Sequence, residues 1–360
     1  MKKIFVLTAL LAGSGAVIAQ DYKAINPSFM DLSVRPQDDF YNYVNGNWMK
    51  TVDIPSDKAR WGSFDELREN TDIAALNILK ASLNTNFEKG SDGQKIADLY
   101  KSYVDFEKRN EIGIAPIAAR LQQIDKIKTV KDLEAYFAKY GREGANPFYG
   151  GYVSAHMKNS DLNAVYLGGG SLGLGRSYYQ KVDEKNTQTL ADYAQFVSTL
   201  YNTVEPTNKV AKGAEIVDFE KAIAANLKTI EESRDAQKRY NPIAVKDLNQ
   251  LVKNVDVAKY LTDMGFKADT VIIGELKYYQ NLDKIINQKN IPVIKDYLKF
   301  QLMNNASSYL TQELDELSFD FYGRKMRGQK EQRALDKRGL EFVNSRVGEL
   351  LGKLYVEALG

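Results

Sequence analysis

Arg60 and Arg68 are the two side chains best suited to gripping a ligand. They flank the run WGSFDEL, eight positions apart. A guanidinium presents a planar fork of donors that matches a carboxylate. Two such forks beside a groove would hold the C-terminal carboxylate of a peptide. The same pair also reads as surface arginines satisfied by Asp65, Glu66 or Glu69. Spacing alone leaves both readings open.

Other reactive groups are few. The chain has one histidine, His156, and no cysteine. It contains no HExxH, the helical motif that supplies two zinc-binding imidazoles and a general-base Glu. A single imidazole cannot build a site of that kind, and a Ser-His-Asp triad would need the same residue. His156 therefore reads as an ordinary surface or core histidine. The lack of cysteine excludes disulfides, thiol nucleophiles and cysteine-ligated metal. Gly168–Gly173 matches GxGxxG literally, but a dinucleotide loop must open a helix and be followed by an acidic residue ~20 positions on. Here the glycines run on as LGLGRSYY into KVDEKN, so the match reads as chance. Glu231, Glu232 and Asp235 lie among Lys and Arg and read as a solvated helix face rather than as a glycosidase pair.

Composition narrows the setting. Lys2 and Lys3 precede an apolar run from Ile4 to Val17, and Val17-Ile18-Ala19 ends in a small residue. That pattern predicts an export signal over residues 1–19. The run is short of the ~20 residues a spanning helix needs. No later segment is apolar enough to span a bilayer, so the expected product is periplasmic or extracellular with no membrane span after cleavage. Removing Lys2 and Lys3 takes the formal charge from +2 to 0. No basic excess remains for nucleic acid or an anionic membrane. The 22 Tyr outnumber the 15 Phe, which predicts many half-buried rings with wet hydroxyls.

The elements that must position Arg60 and Arg68 are mostly helical. Ser91 and Gln94 form a candidate capping box. Ile96, Leu99, Tyr100 and Tyr103 follow on one face. Leu133, Tyr136, Phe137 and Tyr140 repeat the stripe, with Gly141 placed to end it. Leu190, Tyr193, Val197, Leu200 and Tyr201 form a third stripe. Further helices are predicted at 208–235, 245–254, 274–287, 292–317 and 329–357. Phe148–His156 and Asn163–Leu167 flank a polar turn and predict one β-hairpin, at about 148–167. The expected fold is mainly α: a multi-helix body with that small hairpin.

Several short runs, taken in order, resemble the neprilysin and endothelin-converting-enzyme family of zinc metallopeptidases. Pro36 to Trp48, PQDDFYNYVNGNW, is similar to the family's opening, with Gln37 and Asn45 where animal members carry cysteines. Ile54-Pro55 and Arg60-Trp61-Gly62-Ser63-Phe64 continue it. Further on come LGLGRSYY, Arg234-Asp235 with Tyr240-Asn241, Phe321-Tyr322-Gly323 with Gly328 and Arg333, and LGKLYV at 351–356. Gly175 replaces the usual proline of the glycine-rich element. The resemblance implies a helical domain that covers a separate zinc domain and encloses short peptide substrates. It also implies that Arg60, Phe64 and Arg68 bind the substrate's C-terminal side. Zinc and the catalytic residues lie later in the family's pattern, so none is expected in this chain.

The implied division is a flexible mature N-terminus at 20–35, a segment at 36–69 docking toward the catalytic zinc domain, and a helical covering domain at 70–360. The resemblance stops within three residues of Gly360. That end reads as a gene fragment, a frameshift or a true short product, inactive on its own. A non-catalytic periplasmic peptide-binding module, or a truncated non-functional product, is the alternative.

Overall fold

A computed structural model describes residues 25–206 and 211–359. The export signal predicted at 1–19, and the first residues of the loose segment at 20–35, lie outside the described residues. So does the start of the helix predicted at 208.

In order, the chain forms α1 (Phe40–Thr51), α2 (Ser63–Ser82), α3 (Asp92–Val104), α4 (Phe106–Ile112), α5 (Ala115–Asp125), α6 (Val130–Tyr140), β1 (Tyr149–His156), β2 (Asn159–Gly169), α7 (Arg176–Gln180), α8 (Glu184–Val204) and α9 (Gly213–Ala224). After single helical turns at Ile230–Ser233 and Ala236–Arg239 come β3 (Pro242–Ala244), α10 (Leu248–Leu251), α11 (Val257–Asp263), β4 (Thr270–Ile273), α12 (Leu276–Gln280), α13 (Leu282–Ile285), α14 (Ile291–Ala306), α15 (Gln312–Ser318) and α16 (Leu335–Leu359). The fold is mainly α with a small sheet. No described helix is long and apolar enough to cross a membrane.

Local sequence sets most helix starts. The Ser91 hydroxyl accepts from the Gln94 amide at 3.3 Å and opens α3. The second half of that box differs from expectation: Gln94 Oε1 accepts from the Gly90 amide at 2.6 Å. Thr129 with Asp132 opens α6 by a full reciprocal box. Gly141 follows α6 as predicted, but in right-handed geometry, and the left-handed residue is Gly144 at φ 77°. The later helices are more broken than periodicity predicts. The helix expected at 292–317 is two, because Ser307–Tyr309 tightens into a 3-10 turn and Thr311 caps α15. Those expected at 245–254 and 274–287 shrink to one or two turns. There Asp283 accepts the amides of Lys253 and Asn254, at 3.1 and 2.8 Å, and competes with helix continuation.

The predicted hairpin is β1–β2, paired antiparallel from Tyr149↔Gly169 to Ala155↔Asn163. It is half of a four-stranded sheet ordered β1-β2-β4-β3, with β2 and β4 parallel. β4 is Thr270-Val-Ile-Ile273, a β-branched run ended by Gly274. The predicted hairpin is present, and two further short strands extend it. Its partner strand lies about a hundred residues away, where periodicity has no reach.

Contacts divide the chain into two compact units. One runs to Phe106 and resumes at Tyr322; the other is Glu107–Phe321. In the first, α2, α3 and α16 share a core of Leu76, Leu79, Ile96, Tyr100, Leu340 and Val343. Each fully buried aliphatic there contributes about 1.5–3 kcal/mol. α16 comes close because Gly339 has no side chain: a Cβ there would lie 2.7 Å from both Tyr100 and Val104.

Tyrosines dominate the second unit, and not in the manner expected. Tyr149, Tyr193, Tyr278, Tyr279 and Tyr297 are fully buried. Several hydroxyls reach backbone carbonyls instead of water: Tyr278 donates to Phe148 O at 2.9 Å, Tyr297 to Ser171 O at 2.5 Å, and Tyr279 to Gly168 O. These carbonyls lie at the end of the hairpin where β1 starts and β2 stops, and the phenols give each a side-chain donor; Phe148 O also accepts from the Gly170 amide at 3.3 Å. Gly170, at φ 72°, supplies the left-handed turn. Glu220 on α9 completes the arrangement. Its buried carboxylate accepts from Tyr179 Oη at 2.6 Å, the Gly173 amide at 2.9 Å and Tyr193 Oη at 3.2 Å. Burial pushes Glu220 up to about 7, although all three hydrogen bonds favour the charged form.

Two outcomes follow from this packing. At Gly213 a Cβ would lie 1.8 Å from the Ala194 carbonyl oxygen, backbone against backbone. Gly213→Ala is expected to lower unfolding free energy by about 2–3 kcal/mol in urea melts. Glu220 binds its proton more tightly folded than unfolded. Its contribution is complete below about pH 4.5 and is lost as pH rises to about 7. Stability should fall across that window by on the order of 2–3 kcal/mol, and Glu220→Gln should flatten the profile.

Candidate functional site

The first turn of α2 shapes the site. Its N-cap, Gly62, is extended and offers no side-chain cap, and Asp65 and Glu66 stand in the first turn, where negative charge suits the positive end of the helix. Arg60 precedes that turn, and its Nε lies 3.5 Å from Asp65. This is one of the partners the sequence allowed. Phe64 and Arg68, one turn apart, occupy one helix face. Phe64 is 87% exposed, an unusual cost for a phenylalanine with no polar handle. The Arg60 and Arg68 side chains are 86% and 69% exposed.

Arg68 meets a residue the sequence reading did not name. Its Nε lies 3.9 Å from Asp72, one turn further on. Asp72 is held in turn by Arg333, whose Nη2 is 2.9 Å from both Asp72 and Glu69. Arg333 also pairs with Glu341, and Lys337 and Lys58 pair with Glu69. Burial raises the Glu69 carboxyl, but hydrogen bonds from Lys337 and Lys58 and the charges of Lys58 and Arg333 outweigh it and hold the group at about 2. The i,i+4 spacing of Arg68 and Asp72 was a readable signal; the arrival of Arg333 from 261 positions away was not.

Beside this cluster, between α2 and α16, lies a cleft of about 220 Å³ walled by Arg68, Thr71, Asp72, Leu340, Leu351 and Tyr355. Arg68 therefore borders a cavity, whereas Arg60 and Phe64 do not line it. His156 ends β1 in the other unit, edge-on to the Tyr240 ring with centroids 5.7 Å apart. Its Nδ1 accepts from the Lys158 amide at 3.2 Å. Among the described residues no three His, Cys, Asp or Glu side chains are placed to hold a metal ion. The residues present do not fit a zinc site.

Arg60, Phe64 and Arg68 thus stand exposed about one helix opening on a mainly helical body. Residues 36–359 match the model described as peptidase family M13. The chain belongs to that family, and what it spans is the N-terminal domain of its neprilysin and endothelin-converting-enzyme type. It is 25% identical to neutral endopeptidase of Lactococcus lactis subsp. cremoris over 89% of this chain and 52% of that protein. Endothelin-converting enzyme 1 of Bos taurus is 24% identical over 90% of this chain and 48% of that protein. An inhibitor-bound zinc metalloprotease of Mycobacterium tuberculosis superposes with a TM-score of 0.85 at 27% identity, over 92% of this chain and 51% of that one. The chain spans about half the length of the curated relatives it matches.

Glu69 offers a direct check on the cluster. Its stabilising contribution is present above about pH 4.5 and is lost as pH falls through about 2. Glu69→Gln should cost about 1–3 kcal/mol in melts at pH 7, and the difference from the parent chain should shrink toward pH 2.

Proposed function

We propose that this chain is the N-terminal, substrate-enclosing part of a secreted zinc metalloendopeptidase that acts on short peptides. In this reading Arg60 and Arg68 hold the carboxylate at the substrate's C-terminal side, and Phe64 packs against a neighbouring substrate side chain. The zinc ligands and the general base come from sequence outside residues 1–360, so the chain by itself does not hydrolyse peptides. Residues 36–69 dock toward that catalytic domain. The exposed Phe40, Tyr41, Ile54, Phe64 and Leu67, all within that segment, support the docking role. The observation that carries the reading is Phe64, bare to solvent between two exposed arginines in a chain that matches peptidase family M13 from residue 36 onward.

Peptide titration tests it, with Trp61 beside Arg60 as the fluorescent reporter. Acetylated trialanine should bind more tightly as the free acid than as the amide. Arg60→Ala and Arg68→Ala should each weaken the acid by about fivefold, the worth of an exposed charge pair of about 1 kcal/mol, and leave the amide unchanged. Equal titration of acid and amide by the parent chain would sink the role of the arginines. Chelator-sensitive hydrolysis by the purified chain would sink the division of labour.

A further inference from the structure

Arg333 belongs to one of the runs that link this chain to its family, yet nothing in the proposed function uses it. Its side chain is only 10% exposed. Its Nε is buried without a hydrogen-bond partner, so its two terminal nitrogens face all three of Glu69, Asp72 and Glu341. Leaving a donor of a buried guanidinium unsatisfied is costly. The segment carrying Arg333 is fixed to the approach to α2: the amides of Lys330 and Glu331 both donate to Ser56 O at 3.0 Å, and Gln329 Nε2 donates to Asp57 O at 2.8 Å. Arg333 is thus delivered beneath α2 by backbone pairing.

The charges have a consequence for Arg68. Lys58, Lys337 and Arg333 face Glu69, Asp72 and Glu341, three cations against three carboxylates. Arg68 is a fourth cation, and its one acidic neighbour, Asp72, is 3.9 Å away while Arg333 holds that same carboxylate at 2.9 Å. Asp72 is neutralised from the buried side. Only the weaker share of its charge reaches Arg68, at 3.9 Å, so the Arg68 fork stays largely available to an incoming anion.

We propose that Arg333 is a specificity-determining positioning residue: by neutralising Asp72 from beneath α2, it keeps the Arg68 guanidinium free to select peptides that end in a carboxylate. This rests on the reading of Arg68 as a carboxylate contact. Without Arg333, Asp72 becomes the counter-ion of Arg68 and competes with the ligand.

The test is the ratio of affinities for acetylated trialanine as free acid and as amide, measured on the full chain through Trp61. Arg333→Gln should lower the ratio by about fivefold with amide affinity unchanged, and Asp72→Asn added to it should restore the ratio. Asp72→Asn alone, which keeps the buried arginine and needs no unpaired carboxylate, should raise the ratio about twofold or more. That single variant decides the matter if Arg333→Gln does not fold. An unchanged or lowered ratio in Asp72→Asn overturns the proposal. A fall of acid and amide affinity together in Arg333→Gln overturns it too, as the mark of a merely structural role. If Arg68→Ala itself leaves the ratio unchanged, the carboxylate reading fails first and takes this inference with it.

Discussion

The first unit hangs on one largely covered guanidinium. Arg333 joins two carboxylates of α2 to one of α16, across more than 260 residues of sequence. A buried ion pair is a poor source of net stability, because desolvating both partners cancels most of the Coulomb gain. It is a strong source of register, because removing one partner strands the others in a poor solvent. Apolar packing among Leu79, Ile96 and Val343 would tolerate α16 sliding or rotating on α2 and α3. The three-carboxylate grip on Arg333, with the 2.7 Å approach at Gly339, does not.

The second unit solves a different problem. A glycine-rich passage gives tight geometry but brings no side chains to the core beside it. Tyrosines from α12 and α14 donate to carbonyls around it, and their rings fill the core that the glycines cannot. Glu220 then gathers Tyr179, Tyr193 and the Gly173 amide around one carboxylate. Together these tie α7, α8 and α9 to the end of the sheet. The GxGxxG spelling thus serves close approach: a Cβ at Gly173 would fall 1.6 Å from the Tyr193 hydroxyl.

Helix stripes were legible because burial on one face imposes a 3.6-residue period on the residues themselves. Ile96, Tyr100 and Tyr103 point inward, as do Leu133, Tyr136 and Phe137, and Tyr193, Val197 and Leu200. Caps were legible for a similar reason, since a hydroxyl and the amide it serves are three residues apart. The failures share a cause as well. β4 is four residues long and pairs with strands far from it in sequence. The break between α14 and α15 is set by the Ser307–Tyr309 turn and the Thr311 cap, and the short pieces after α9 by side chains such as Asp283, which reaches backbone 30 residues away. The tyrosine hydroxyls were expected in water because composition carries no information about which carbonyls the folded chain brings beside them.

The sequence by itself determined the mainly helical class, the exclusion of thiol, disulfide and two-histidine metal chemistry, and the order of runs that places residues 36–359 in peptidase family M13. It also singled out Arg60 and Arg68 by type and spacing, and Phe64 through the family resemblance. Tertiary structure alone decided that Phe64 is bare, that Arg68 borders a cleft between α2 and α16, and that Arg333 holds Asp72 more closely than Arg68 does. The physical reason is that charge compensation depends on distance through space. Two arginines that look alike in sequence differ only in which carboxylates the folded chain has already neutralised beside them.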